Sequence, residues 1–170
     1  MNASERRSHI LSTLKNSEHA VSASTLAKAY AVSRQIIVGD VALLRAAGEK
    51  IIATPRGYIY EPENGGQLCH ISCKHDASQM QAELNAIVDE GCTVVDVIVE
   101  HPLYGEITGV LNLASRHDVD MFIKKSAEEA SVPISTLTDG IHLHTLRCPD
   151  ADACARVHRA LTALGILMEG

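Results

Sequence analysis

The sequence is poor in aromatic residues and contains no tryptophan. Its 170 residues include one Phe and four Tyr, an aromatic share of 3%, so the core must be built from aliphatic side chains. Apolar residues make up 46% and charged residues 21%, which are proportions of a globular chain and exclude a disordered or fibrous one. The length allows one large domain or two small ones.

Long apolar runs are also missing. No stretch approaches the roughly 20 apolar residues that a membrane-spanning helix needs. No apolar segment follows the charges at the N-terminus either, so neither a membrane protein nor a secretory signal is expected. With a mean hydropathy near zero, the sequence indicates a cytoplasmic protein.

The cysteines follow no disulfide or metal-binding pattern. They are five in number and form no C-x-x-C pair, which argues against both a disulfide framework and a zinc ribbon. We therefore expect free thiols in a reducing compartment, acting as small buried apolar groups. The five residues are Cys69, Cys73, Cys92, Cys148 and Cys154.

Charge is unevenly divided along the chain. Residues 1–60 carry eight Lys or Arg and four Asp or Glu, whereas residues 61–170 carry seven and 17. Because an acidic surface repels phosphate, only the first segment is a candidate for contact with nucleic acid. The polar, Pro- and Gly-containing stretch 61–66 is typical of a linker, so we predict two domains, residues 1–61 and residues 67–170.

The basic segment has the pattern of three helices followed by a hairpin. Helical spacing of apolar residues predicts three helices: one over 4–15, a short one that ends at Tyr30, and one over 34–47. Two short β-type runs joined by Pro55 and Arg56 predict the hairpin, or wing. This is the layout of a winged helix-turn-helix. The stretch from residue 24 to residue 48 resembles bacterial winged-helix repressors, including the DNA-binding part of the biotin-ligase repressor.

That resemblance makes the third helix the one that reads the major groove. Arg and Gln can each bond two atoms of a base edge, and an Arg at the wing tip suits a phosphate or the minor groove. The alternative is a winged helix used only for protein contacts. The candidate DNA-contacting residues are Ser33, Arg34, Gln35, Val38 and Arg56.

The acidic segment alternates strands with helices. Its patterns predict strands over 67–74, 93–100, 109–113 and 140–146, and helices over 78–90, 115–130 and 151–164. We therefore predict an α+β sandwich for this segment, in which a sheet carries helices on one face.

Histidines give the acidic segment its chemistry. His142 and His144 are two residues apart on one predicted strand, so both imidazoles face the same side of the sheet and could bind one metal ion together. His75 follows the first strand, and Glu83 borders the apolar face of the next helix. Three imidazoles and one carboxylate suit Ni, Zn, Fe, Mn or Co. From these residues alone, a pair of exposed surface histidines remains the alternative interpretation.

Two longer motifs make the pattern specific. They are the H-P-L-Y-G turn at 101–105 and the G-I-H-L-H strand at 140–144. Together with the K-H-D stretch at 74–76 and Glu83, they resemble the three-histidine domain of the bacterial niacin-responsive transcriptional repressor family, in which that domain follows a winged helix. The resemblance extends over nearly the whole chain.

The resemblance implies a homodimeric repressor of genes for niacin uptake or NAD synthesis, and not an enzyme. It implies operator DNA as partner, nicotinic acid as corepressor and one divalent transition metal per chain, with Ni or Zn favoured. The implied metal ligands are His75, Glu83, His142 and His144. The candidate effector-binding residues are His101, Tyr104 and Arg147, the last because a guanidinium can pair with a carboxylate.

Three other functions stay open at this point. The bound ion could itself be the effector, which would make the protein a metal sensor. A three-histidine site could activate water in a metalloenzyme, although no motif such as H-E-x-x-H supplies an acid-base residue at a recognisable spacing. A dimeric binding module without DNA contacts is the third alternative.

Overall fold

Three helices and a two-stranded sheet form the N-terminal part of the computed structural model, which describes residues 1–61 and 66–169. Residues 62–65 of the predicted linker lie outside the described residues. The chain divides into two units, Met1–Glu63 and Asn64–Gly170. The elements of the first unit are α1 (Ala3–Lys15), α2 (Ala23–Tyr30), α3 (Arg34–Ala46), β1 (Ile51–Thr54) and β2 (Gly57–Tyr60).

Short polar residues set where the helices of this unit begin. The Ser22 side chain accepts a hydrogen bond from the backbone N–H of Thr25 at the start of α2, and Ser33 does the same for Ile36 at the start of α3. Such caps satisfy N–H groups that have no partner inside the helix. Between the two helices Ala31 adopts the left-handed conformation with φ 53°. The predicted helix-turn-helix with a β-hairpin wing is therefore confirmed.

A buried carboxylate ties α1 to α3. Asp40 is almost fully buried, and its Oδ2 lies 2.6 Å from Nε of Arg6 while its Oδ1 lies 3.6 Å from Nη1 of Arg7. A hydrogen-bonded charge pair of this kind links the two helices, but the cost of removing both charges from water offsets much of its attraction.

Replacing this carboxylate is expected to destabilise the N-terminal unit. In Asp40→Ala the guanidinium of Arg6 loses its partner, and we expect a loss of about 2 kcal/mol in the free energy of unfolding. Urea unfolding of the full chain followed by tyrosine fluorescence measures this, because Tyr104 is the only one of the four tyrosines outside this unit. The exposed Glu18→Ala is the control and should change stability by less than about 0.5 kcal/mol.

The second unit is a four-stranded antiparallel sheet with helices on one face. Its strand order is β3-β6-β4-β5, so β6, the last strand in sequence, lies between β3 and β4. Each helical connection therefore joins two parallel strands that have another strand between them. The elements are β3 (Gln67–Lys74), α4 (Met80–Asp89), β4 (Thr93–His101), β5 (Gly105–Leu113), α5 (Arg116–Glu128), β6 (Ile141–Cys148) and α6 (Ala151–Ala163), with 3₁₀ helices at Ala77–Gln79 and Ile134–Thr138.

One aliphatic core fills the space between this sheet and its helices. Ile87 of α4, Val119 of α5 and Val157 of α6 pack against the same cluster as Leu146 of β6. All three helices therefore cover one face, as predicted for the α+β sandwich. On the other face of the sheet, Leu143 and Ile141 are each more than a third exposed. Among the described residues, no helix combines the length and apolarity that crossing a membrane requires.

Several predicted boundaries differ from the structure. The strand expected at 109–113 begins at Gly105, because the hairpin pairs His101 with Gly105 directly across the turn. The helix expected at 78–90 starts as the 3₁₀ turn Ala77–Gln79, where the Asp76 side chain accepts the N–H of Ser78. The 3₁₀ helix Ile134–Thr138, which packs against β4 and β6, was not predicted.

The expectation of free thiols is wrong for two of the five cysteines. Cys69 on β3 and Cys154 on α6 form a disulfide across 85 residues of sequence. The packing of α6 on β3 brings the two cysteines together, and no local sequence pattern predicts this pairing. Cys73, Cys92 and Cys148 are free and buried, as expected.

Candidate metal centre and nucleic-acid interface

A cluster of three imidazoles surrounds one carboxylate at one end of the sheet. His142 and His144 project from β6 toward the helices, His75 follows β3, and Glu83 comes from the first turn of α4. Glu83 is 1% exposed and His144 is 3% exposed. Nε2 of His75 lies 2.6 Å from Glu83 Oε2, and Nε2 of His142 and of His144 lie 2.8 and 3.3 Å from Oε1. The structure therefore brings together all four predicted metal ligands.

Each imidazole of the cluster is oriented by a main-chain carbonyl. Nδ1 of His75, His142 and His144 lies 2.6, 2.8 and 2.7 Å from the carbonyl oxygens of Asp76, Gly140 and Asp96 respectively. A carbonyl oxygen only accepts, so Nδ1 must be the protonated nitrogen in all three rings. Each neutral ring then presents the lone pair of Nε2 toward Glu83. This is the arrangement by which proteins prepare histidines as metal ligands.

Lone pairs and a carboxylate repel one another unless positive charge lies between them. Nε2 of His144 is buried and makes no hydrogen bond to a described residue, which is unfavourable for a polar atom without a further partner. Either protonated imidazoles or a cation could resolve the repulsion. Three nitrogens and one oxygen from preoriented side chains fit a borderline divalent transition metal.

The charge state of Glu83 depends on its neighbours. Burial by itself would raise the pKa of this carboxyl, but the three imidazoles, once they are also protonated at Nε2, outweigh burial and hold its pKa far below the ordinary value. Burial lowers the pKa of His75, whereas its hydrogen bond to Glu83 raises it, and the net direction is upward. Glu83 is therefore an anion in this site, as a metal ligand must be.

A glycine allows the two halves of the cluster to meet. Gly140 has φ 87°, and a Cβ there would collide with the carbonyl oxygen of His75. The backbone N–H of His75 also donates to the carbonyl oxygen of Gly140. Only a residue without a side chain lets the segment after β3 approach the start of β6 this closely.

Two residues that the sequence analysis did not select also belong to this site. The sulfur of Cys73 lies within 4.8 Å of ligand atoms of Glu83 and His142. Burial, and then the nearby Glu83, raises the pKa of the Cys73 thiol. Asp96 accepts the Nδ1–H of His144 through its carbonyl and the backbone N–H of Thr145 through its carboxylate. The spacing of two residues between Cys73 and His75, which predicts that both side chains lie on one face, could have indicated Cys73. Asp96 follows a β-bulge, and no sequence pattern indicates that bulge.

The candidate effector residues lie in different places. Val97 of β4 pairs with His144, and His101 lies four residues later on the same face, roughly 13 Å along the strand. Its Nδ1 accepts hydrogen bonds from the backbone N–H groups of Leu103 and Tyr104, so Nε2 carries the proton in the neutral ring. Tyr104 is 73% exposed. Arg147 is an odd number of residues from both His142 and His144, so its side chain lies on the face of the sheet opposite the helices.

Four of the five predicted DNA-contacting residues lie at the start of α3, and the fifth lies in the wing. Ser33 caps α3, and Arg34 and Gln35 follow in its first turn, all three exposed. Val38 is 40% exposed one turn further along. Arg56 is partly buried in the turn between β1 and β2. The first turn of α3 therefore presents the exposed polar groups that a recognition helix uses at base edges.

Comparison with known proteins adds independent findings. Residues 69–170 match the 3H domain, and residues 6–59 match an HTH domain. The chain is 40% identical over 165 residues to the "Probable transcription repressor NiaR" of Thermotoga maritima, covering 97% of this chain and 94% of that protein. It is 42% identical over 168 residues to the "Transcription repressor NadR" of Bacillus subtilis, covering 96% and 93%.

Proposed function

The chain belongs to the niacin-responsive family of transcription repressors, and from this membership we propose that it represses genes for niacin uptake or NAD synthesis with nicotinic acid as corepressor. Its relatives are named transcription repressors, so it is a DNA-binding regulator and not an enzyme. Operator DNA is its partner through the helix-turn-helix domain.

The observation that carries the proposal is the buried cluster around Glu83. His75, Glu83, His142 and His144 would hold one divalent transition metal, with Ni or Zn favoured by three nitrogens and one oxygen. The ion would supply positive charge inside the domain, which can attract the carboxylate of a small acid. The carbonyls behind the three imidazoles keep the lone pairs in place before the ion arrives.

We place the corepressor on the same sheet face as the cluster, toward the β4–β5 turn. His101 shares that face, and the proton on its Nε2 makes it a donor for a carboxylate oxygen or a pyridine nitrogen. Tyr104 lies 5.1 Å from the His101 ring, centroid to centroid, and offers a further aromatic contact. A ligand in this position would not contact Arg147, which lies on the other face.

A homodimer would place two recognition helices on the DNA. Half-sites one helical turn apart require two copies of α3 about 34–36 Å apart. Nicotinic acid regulates only if it binds one arrangement of the two copies more tightly than the other. The polar first turn of α3, with Arg34 and Gln35, would read the bases, and Arg56 would contact the backbone or minor groove.

Calorimetric titration of nicotinic acid into metal-loaded and chelator-stripped protein tests the proposal. We expect saturable binding to the loaded protein, no binding to the stripped protein, and no binding of nicotinamide, which lacks the carboxylate. Circular dichroism must show that the stripped protein is folded. Absence of binding in both states would contradict the corepressor assignment, and operator binding that responds to the metal alone would support the metal-sensor alternative.

A further inference from the structure

A second group of metal-ligating side chains lies at the other end of β3. Cys69 on β3, Cys154 on α6 and His158 on α6 place their sulfurs and an imidazole nitrogen within 4.8 Å of one another. Cys154 and His158 are one helical turn apart, so both side chains lie on the same edge of α6. Cys69 faces this edge because α6 packs over β3.

This group is separate from the cluster around Glu83. Cys69 and Cys73 lie on the same face of β3, four residues or roughly 13 Å apart. The buried Ile71 lies between them. The two groups also differ chemically, because two sulfurs and one nitrogen favour softer ions than three nitrogens and one oxygen do.

We propose that reduction of the Cys69–Cys154 disulfide creates a second metal site, in which the two thiolates and the His158 imidazole bind a divalent ion of the zinc class. A dithiol reductant gives two electrons to the disulfide and becomes a disulfide itself, while its two protons pass to Cys69 and Cys154. The ion displaces these two protons when both sulfurs bind it. The oxidised chain therefore holds a covalent link where the reduced chain holds an ion.

The distances around the group suit such a site. At a Zn–S length of about 2.3 Å, the two sulfurs of a tetrahedral site are roughly 3.8 Å apart. The Cα atoms of Cys69 and Cys154 are 6.6 Å apart, which permits that separation after rotation about χ1. Both cysteines are partly buried and His158 is exposed, so the sulfurs are shielded on one side and the imidazole can rotate toward them.

One member of this group, His158, also lines a neighbouring cavity. The cavity has a volume of about 740 Å³, and its wall includes His70, His158 and Arg159. An ion or a dithiol can approach His158 from this side.

Cobalt titration of the full chain tests the proposal, because cobalt bound by thiolate shows a near-ultraviolet charge-transfer band that nitrogen and oxygen ligands do not produce. The protein is stripped with chelator and reduced with a phosphine, which does not compete for the ion as a dithiol would. We expect the band in the reduced wild type, its displacement by zinc, and its absence from protein kept oxidised. The double variant His142→Ala/His144→Ala should keep the band, so the test of this second site does not depend on whether the cluster around Glu83 binds metal.

Matched cysteine variants decide which sulfurs produce the band. Cys154→Ser should lose it, whereas Cys73→Ser should keep it. His158→Ala removes an exposed side chain, so the fold should persist while the apparent cobalt affinity falls at least tenfold. A band that survives in Cys154→Ser, that disappears in Cys73→Ser, or that never forms in the reduced wild type would overturn the proposal.

Discussion

Replacing His144 with alanine will abolish the effect of nicotinic acid on operator binding and leave the winged helix folded. The variant removes one of three imidazoles that Glu83 requires around it, and we expect metal affinity to fall at least about a hundredfold, since even residues behind metal ligands contribute 10- to 100-fold. Metal content after dialysis and operator binding with and without nicotinic acid measure the two effects.

The matched control for this experiment is His117→Ala. His117 is an exposed histidine on α5, so its loss removes an imidazole without changing the cluster. It should retain metal and the nicotinic acid response. A His144→Ala protein that still responds fully would show that the cluster is not the effector site. If His144→Ala loses all secondary structure, Glu83→Gln becomes the deciding variant, because it keeps the shape of the side chain.

Replacing Arg34 with alanine is expected to weaken operator binding by about 1–3 kcal/mol, the usual value of a bidentate contact to a base. That range corresponds to roughly five- to 150-fold in affinity. Loss of the helix is not expected, because a positive charge in the first turn of α3 opposes the helix dipole. Fluorescence anisotropy with operator and with unrelated DNA separates loss of specificity from a uniform loss of affinity.

Arg159→Ala provides the corresponding control. It removes an exposed arginine of the same type from α6 in the other unit, so any effect of net charge alone appears in both variants. Equal losses for the two variants would mean that Arg34 contributes only general attraction to phosphate. A loss confined to Arg34→Ala and to the specific operator supports direct contact with a base.

The sequence predicts well those features that depend on neighbouring residues. Ser33 before an apolar helix indicates a cap, and the structure shows that cap. The i and i+2 spacing of His142 and His144 puts both on one face of any strand, so their convergence follows from strand geometry alone. The apolar face of α4 likewise indicates that Glu83 lies near the sheet, although not that its carboxylate is enclosed by three imidazoles.

Features that depend on packing between distant segments could not be predicted. Asp96 reaches His144 because of a bulge in β4, and a bulge changes the register without changing residue type. Cys69 and Cys154 meet because α6 crosses β3, a fact that no spacing encodes. The central position of β6 depends on which strands pair with it. The alternation of residues within a strand shows which face each side chain takes, but not which strands lie beside it.

Glu83 and His142 are 59 residues apart, so an ion bound by both would depend on the folded domain. An unfolded chain does not hold these two residues close together, so an ion bound in the cluster would stabilise the folded form only. At a free metal concentration a thousandfold above the dissociation constant, the gain is about 4 kcal/mol. Metal supply would then set how much folded repressor a cell keeps, in addition to the response to nicotinic acid that we propose.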